Sequence, residues 1–111
     1  MEIDEEAIGD VRVVTARGRL DGSASGPFGE RVQKLITSSN PRLIIDLAGV
    51  DFVTSAGLRV FLTLMKKVKS QQGKFALCSV QAPVREVLDM TGFTAMMDIH
   101  AERRAALLAM Q

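Results

Sequence analysis

The chain has 111 residues, so we expect a single domain over residues 1–111 that can bury a core without disulfides or metals. The 14 Lys and Arg residues against 13 Asp and Glu give a formal charge of +1, and Trp and Tyr are absent, which argues against nucleic acid as a partner. The single cysteine and single histidine exclude an internal disulfide and a zinc site of the usual Cys/His kind, and we expect no metal and no cofactor.

Two strands are predicted at the start of the chain. Residues Val11–Ala16 are rich in β-branched side chains, which are typical of strands. Gly9-Asp10 before them is a turn pair, so residues Ile3–Ile8 are expected to form a hairpin partner. Residues 18–23 contain two glycines, an aspartate and a serine and are predicted to form a loop.

The first helix is predicted to begin at residues 25–27, which would place Pro27 in its first turn. Its apolar residues fall on one helical face and are Phe28, Val32, Leu35 and Ile36. Residues 38–41 are two serines, an asparagine and a proline, and are expected to end the helix.

A buried strand and the most regular helix follow. Residues Leu43–Leu47 are apolar except for Asp46, a pattern that is typical of a central strand covered on both faces. Residues 48–53 are predicted to form a loop. The second helix is predicted from apolar residues at helical spacing, which are Leu58, Phe61, Leu62, Met65 and Val68.

The second half of the chain repeats the alternation of strand and helix. Strands are predicted at residues 75–78 and 97–99, and helices at residues 82–92 and 101–110. The order β-β-α-β-α-β-α-β-α predicts an α/β fold with a mixed, mostly parallel sheet and helices packed on it. Cys78 is expected to be a small buried residue, and His100 is expected to have no catalytic role.

The segment Asp51–Arg59 joins the buried strand to the second helix. Sites in open α/β sheets gather at the carboxyl ends of strands, and this segment lies at such an end. Thr54 and Ser55 stand where the N-cap and first turn are expected, so either of them could simply cap the helix. A phosphate on a hydroxyl at this position would face free backbone amides and the positive end of the helix dipole.

Several segments together resemble the STAS domain. Residues 43–47 and 50–59 carry the resemblance and look most like bacterial anti-sigma factor antagonists. Residues 18–21, 72–78 and 83–93 are similar to the family's segment after the second strand, its turn into a strand and its third helix. The resemblance covers nearly the whole chain and implies the STAS fold.

The resemblance implies a switch between protein partners and no enzyme activity. In the family, an anti-sigma factor with a serine-kinase domain of the histidine-kinase-like ATPase type binds the unmodified antagonist, releases its sigma factor or other client, and phosphorylates a serine. A PP2C-type phosphatase restores the unmodified form. The motif places that serine at Ser55, and Thr54, which stands where the best-studied members carry Asp, is an alternative acceptor.

The residues that this resemblance places on the partner-facing surface are Asp21, Gly22, Ser23, Thr54, Ser55, Ala56, Gly57, Leu58 and Arg59. For Asp21 a solvated turn acid is an equally good interpretation, since Asp-Gly is a common turn pair. Asp46 could turn toward this surface or pair at the end of the sheet. The basic residues of the second helix are interpreted as a solvated face.

Two other functions are compatible with the sequence. The chain could be an unphosphorylated STAS adaptor subunit of a transport or stress-sensing complex, or a small enzyme with Ser55 as nucleophile, for which no GxSxG elbow is present. The acidic start does not resemble a signal peptide and no apolar run is long enough to span a membrane, so we expect a cytoplasmic monomer without a membrane partner.

Overall fold

A computed structural model describes all residues of the chain, 1–111. Its elements in chain order are β1 Glu2–Ile8, β2 Val11–Leu20, α1 Gly22–Gln33, β3 Arg42–Val53, α2 Ser55–Ser70, β4 Lys74–Cys78, α3 Ala82–Met90, a short 3-10 helix Phe93–Ala95, β5 Asp98–His100 and α4 Arg103–Ala109. The predicted order of strands and helices is confirmed. The short 3-10 helix is the one element that the sequence pattern did not indicate.

The five strands form one sheet in the order β1-β2-β3-β4-β5. Strand β1 is antiparallel to β2, and the remaining neighbours are parallel. This is the mixed, mostly parallel α/β sheet that the sequence predicted. Because β2, β3 and β4 run in the same direction, their carboxyl ends meet at one edge of the molecule, where α1 and α2 begin.

Helices cover both faces of the sheet. The larger core contains 21 buried residues, in which α1, α2 and α3 pack against one face. The smaller core contains seven buried residues, in which Ala106 and Met110 at the C-terminal end cover the other face. The alternating side chains of β3 serve both cores, with Ile44 in the smaller and Ile45 in the larger. Strand β3 is thus covered on both faces, as its apolar run predicted.

Two predicted loops are wrong, because they are the ends of long strands. Residues 18–20 belong to β2 and residues 48–53 belong to β3. The two segments pair with each other, and Gly18 and Gly49 lie in paired positions between two register shifts that do not end the ladder. Leu20 and Val50 are fully buried, so the larger core stabilises strand structure where local turn signals suggested a loop.

Helix α1 begins three residues earlier than predicted. Asp21 caps it, and Pro27 lies inside the helix instead of in its first turn. The side chain of Asp21 accepts hydrogen bonds from two backbone amides, and this cap outweighs the signal of the proline as a helix start. The helix ends at Gln33, and Ile36 is buried in the turn that follows.

The other elements agree with the predictions to within two residues at most boundaries. The glycine predicted to end the third helix, Gly92, has a φ of +81°, a conformation that favours glycine. None of the helices combines the length and the apolar character that a transmembrane span requires.

Asp46 pairs with an arginine and does not turn toward the segment around Ser55. The carboxylate is 6% exposed and accepts hydrogen bonds from Ala48 N at 3.0 Å and from Arg103 Nε at 3.1 Å. The guanidinium of Arg103 also contacts Thr15 Oγ1 at 2.8 Å and Glu6 Oε1 at 3.0 Å. This cluster joins α4 to β1, β2 and β3 on the face that α4 covers.

Cys78 is fully buried, as expected. Burial raises the pKa of its thiol to about 11, and the negative charge of Asp46 acts in the same direction. A thiol with this pKa is almost entirely protonated at neutral pH and is a poor nucleophile.

Candidate functional site

The N-termini of α1 and α2 lie side by side at the carboxyl ends of β2 and β3. Leu20 and Val53 are register partners at the last pair of this ladder, so Asp21 and Thr54 are the first residues beyond it. The carbonyl of Leu20 accepts two hydrogen bonds from Thr54, one from its amide at 3.0 Å and one from its hydroxyl at 3.2 Å. One carbonyl therefore fixes the start of α2 against the strand that leads into α1.

Asp21 is the N-cap of α1. Its Oδ1 accepts hydrogen bonds from the amides of Ala24 at 3.0 Å and Ser23 at 3.1 Å, and from the Ser23 hydroxyl at 2.9 Å. The bond from the Ala24 amide, then the Ser23 contacts and the charge of Arg19, lower the pKa of this carboxyl. Asp21 is half-exposed, so the same carboxylate caps the helix and contributes a negative charge to the surface.

The two hydroxyls at the start of α2 differ in their environment. Thr54 is half-buried, and its hydroxyl is donated to the Leu20 carbonyl instead of capping its own helix. Ser55 is the first helical residue and is exposed, and its hydroxyl has no hydrogen-bond partner. The first turn contains no acidic residue. A reagent approaching from solvent therefore meets Ser55 with its hydroxyl free and Thr54 with its hydroxyl bound.

Gly57 allows α2 to approach the strands closely. A Cβ at this position would lie 2.7 Å from Val53 Cγ2 and 3.0 Å from the Leu20 carbonyl oxygen. Leu58, the next residue, is 6% exposed and belongs to the larger core. Of the residues expected to face a partner, these two are buried and position the helix, whereas Ser55 and Arg59 are exposed.

An exposed pair of side chains that the sequence pattern does not indicate lies beside this site. Arg19 and Phe52 are register partners, and the guanidinium of Arg19 lies 4.1 Å from the centre of the Phe52 ring. Phe52 is 38% exposed, which is unusual for an aromatic side chain in a strand. Both residues lie in segments that the sequence predicts as loops. Strand alternation provides the missed signal, because Leu20 and Val53 point inward and their preceding neighbours point outward.

The surface around Ser55 is open. The molecule has four surface cavities, and neither Thr54 nor Ser55 lines any of them. No group of three or more His, Cys, Asp or Glu side chains is arranged to hold a metal ion. An exposed hydroxyl on an open surface suits contact with another protein better than enclosure of a small substrate.

The STAS domain sequence profile matches residues 2–106 of this chain. Among curated proteins, the anti-sigma F factor antagonist of Paenibacillus polymyxa is 28% identical over 112 residues, which span 100% of this chain and 96% of the relative.

Solved structures give the same fold. The anti-sigma-factor antagonist (STAS) domain protein of Planctomyces limnophilus superposes with a TM-score of 0.87 at 29% identity, over 97% of each chain. The anti-sigma factor antagonist SpoIIAA in its unphosphorylated form superposes with a TM-score of 0.79 at 20% identity, over 96% of this chain and 93% of that one. The Bacillus cell fate determinant SpoIIAA in its phosphorylated form superposes with a TM-score of 0.74 at 18% identity, over 99% of this chain and 100% of that one.

Proposed function

This chain belongs to the STAS domain family, and from that premise we propose that it is an anti-sigma factor antagonist, a regulatory binding protein and not an enzyme. Its partner is an anti-sigma factor whose serine-kinase domain is of the histidine-kinase-like ATPase type. The unmodified chain binds this kinase and displaces a sigma factor or another client. Phosphorylation of Ser55 ends the complex, and a PP2C-type phosphatase returns the chain to its binding form.

The observation that carries the proposal is the exposed, unbonded hydroxyl of Ser55 at the first position of α2. A kinase requires an acceptor hydroxyl that is not held by a hydrogen bond within its own protein and that can reach the nucleotide in the kinase. Ser55 meets this requirement without breaking a hydrogen bond, whereas Thr54 would have to release the Leu20 carbonyl. The structure therefore favours Ser55 over Thr54 as the acceptor.

The same geometry explains how a phosphate would release the partner. Phosphorylation adds about −1.5 to −2 charges at pH 7, which would move the chain from a formal +1 to about −1. This charge would appear at the start of α2, on the edge of the molecule where the Asp21 carboxylate already caps α1. An anion that is buried in an interface without matched donors costs several kcal/mol, and each 1.4 kcal/mol lowers affinity tenfold.

The relatives support this assignment. Two proteins at 28% and 29% identity that span nearly the whole chain are named anti-sigma factor antagonists. SpoIIAA, which has this fold, is known in phosphorylated and unphosphorylated forms. The proposed role would place the chain in the cytoplasm, where sigma factors act, and the switch requires only one copy of the chain.

A phosphorylation assay with mapped sites tests the proposal. The chain is incubated with ATP and an extract of its source cells, and intact mass and peptide mapping follow. We expect one phosphate on Ser55, absent from Ser55→Ala and retained in Thr54→Val, the matched variant that removes the neighbouring hydroxyl. A phosphate that maps to Thr54 would contradict the choice of acceptor. No phosphate, in an extract that modifies another substrate, would overturn the switch in favour of an unphosphorylated STAS adaptor.

A further inference from the structure

Helix α2 has cations but no acid. Its charged residues are Arg59, Lys66, Lys67 and Lys69. The guanidinium of Arg59 makes no ion pair and no hydrogen bond, and Arg59 is exposed. The residue four positions before it is Ser55, and the residue four positions after it is Thr63. Unmodified α2 therefore offers Arg59 no helical partner of opposite charge.

Ser55 and Arg59 lie on the same side of the helix. Residues at i and i+4 are neighbours on a helix surface, with an axial separation of about 6 Å. An acidic group that precedes a basic residue by four positions is the favourable orientation. A guanidinium donates to two phosphate oxygens at once, and its reach spans one helical turn. A phosphate on Ser55 would stand in this favourable position toward Arg59.

We propose that the phosphate on Ser55 forms an ion pair with the Arg59 guanidinium of the same helix. The guanidinium that the unmodified surface presents to its partner is then no longer free. This inference rests on the proposed function, because it requires a phosphate on Ser55. Phosphorylation then alters the surface twice: it adds an anion at Ser55 and removes a free donor group at Arg59. The local charge of the pair changes from +1 to about −1.

Other charged groups near Ser55 do not take this role. Arg19 lies against the Phe52 ring at 4.1 Å. Asp21, on the neighbouring helix, is an anion and repels a phosphate. Lys66 is eleven residues further along α2, about 16 Å along the helix axis, which exceeds the screening length of about 8 Å at physiological salt. Arg59 is therefore the cation of α2 within reach of the site.

The test uses protein that carries phosphoserine at position 55, introduced by genetic encoding, so it does not depend on a kinase. The pKa of the phosphate is measured by ³¹P NMR titration in the otherwise wild-type chain and in variants Arg59→Gln, Arg59→Lys, Arg19→Gln and Lys66→Gln. We expect Arg59→Gln to raise the second phosphate pKa by about 0.2–0.4, because the dianion loses its partner. Arg59→Lys keeps a cation at this position and should leave the phosphate pKa close to the wild-type value, and Lys66→Gln should leave it unchanged. The Arg59 effect shrinks in 1 M salt.

The inference is overturned if Arg59→Gln leaves the phosphate pKa unchanged, or if Lys66→Gln or Arg19→Gln raises it as much as Arg59→Gln does. A circular-dichroism melt of each variant confirms that the fold is retained. Failure of this inference is distinct from failure of the proposed function. An unchanged phosphate pKa leaves partner release by Ser55 phosphate intact, whereas absence of Ser55 phosphorylation in cells leaves the pairing in the encoded phosphoprotein intact.

Discussion

A substitution at Gly57 tests most directly how closely α2 packs against the ends of β2 and β3. We predict that Gly57→Ala destabilises the chain, although alanine is the better helix former. The added Cβ would lie 2.7 Å from Val53 Cγ2, 3.0 Å from the Leu20 carbonyl oxygen and 3.2 Å from Leu20 Cβ. Two of these atoms belong to Leu20, whose carbonyl accepts both hydrogen bonds from Thr54, so a shift of Leu20 away from the added methyl group would disturb those bonds.

The net change in the free energy of unfolding is the difference between two opposing effects of the Gly57→Ala substitution. Overpacking of a tight site costs about 1–3 kcal/mol. The better helix propensity of alanine returns up to about 1 kcal/mol. We therefore expect Gly57→Ala to lower the free energy of unfolding by up to about 2 kcal/mol, which corresponds to a drop of up to about 8 °C in Tm.

Gly22 provides a matched control. It is the first residue of α1, and a Cβ there would meet nothing within 4 Å. Gly22→Ala is therefore expected to raise stability by about 0.4–1 kcal/mol. The two variants and the wild type are compared by urea unfolding followed by circular dichroism. If Gly57→Ala proves as stable as Gly22→Ala, the close contact between α2 and the strand ends is refuted.

Three further perturbations test the supporting geometry. The pKa of Asp21 is lowered in the folded chain, so its charge stabilises the fold above the unfolded pKa of 3.8, and this contribution is lost as pH falls through the folded value. In urea unfolding, the stability difference between wild type and Asp21→Asn should therefore be largest near neutral pH and vanish in acid. A difference that is independent of pH would contradict the cap. Arg103→Ala leaves the buried carboxylate of Asp46 without its cation and should lower the free energy of unfolding by about 2 kcal/mol, less than for a fully buried pair because Arg103 is partly exposed. The control Arg104→Ala removes an exposed neighbour and should leave the free energy of unfolding almost unchanged. Equal effects of the two substitutions in denaturant unfolding would contradict the role of the pair. Cys78, whose pKa is raised to about 11 by burial, should react with iodoacetamide at pH 8 far more slowly in the native chain than in urea, and similar rates would contradict its burial.

The sequence predicted the elements better than it predicted their ends. The apolar run at Leu43–Leu47 and the periodic face of the second helix identified β3 and α2, because both patterns extend over several residues. The ends of β2 and β3 were missed, because Gly18 and Gly49 are turn signals in isolation. Pairing between the two strands is a contact between distant segments, and no local pattern records it.

The candidate site was predicted in part. The position of Ser55 at the start of a helix after a buried strand followed from helix-start signals and from the family resemblance. The difference between Ser55 and Thr54 could not be predicted, since it depends on a hydrogen bond to a carbonyl 34 residues away. The stacking of Arg19 on Phe52 was missed for the same reason, because it requires the register of two strands.

In the proposed switch, a phosphate on Ser55 weakens binding to an anti-sigma factor kinase enough to release it. The most direct measurement is isothermal titration calorimetry of an anti-sigma factor kinase from the source organism with the unmodified chain and with the chain carrying encoded phosphoserine at position 55. We predict that the unmodified chain binds and that the phosphorylated chain binds at least about tenfold more weakly, a loss of about 1.4 kcal/mol or more. Equal affinity of the two forms would contradict the switch.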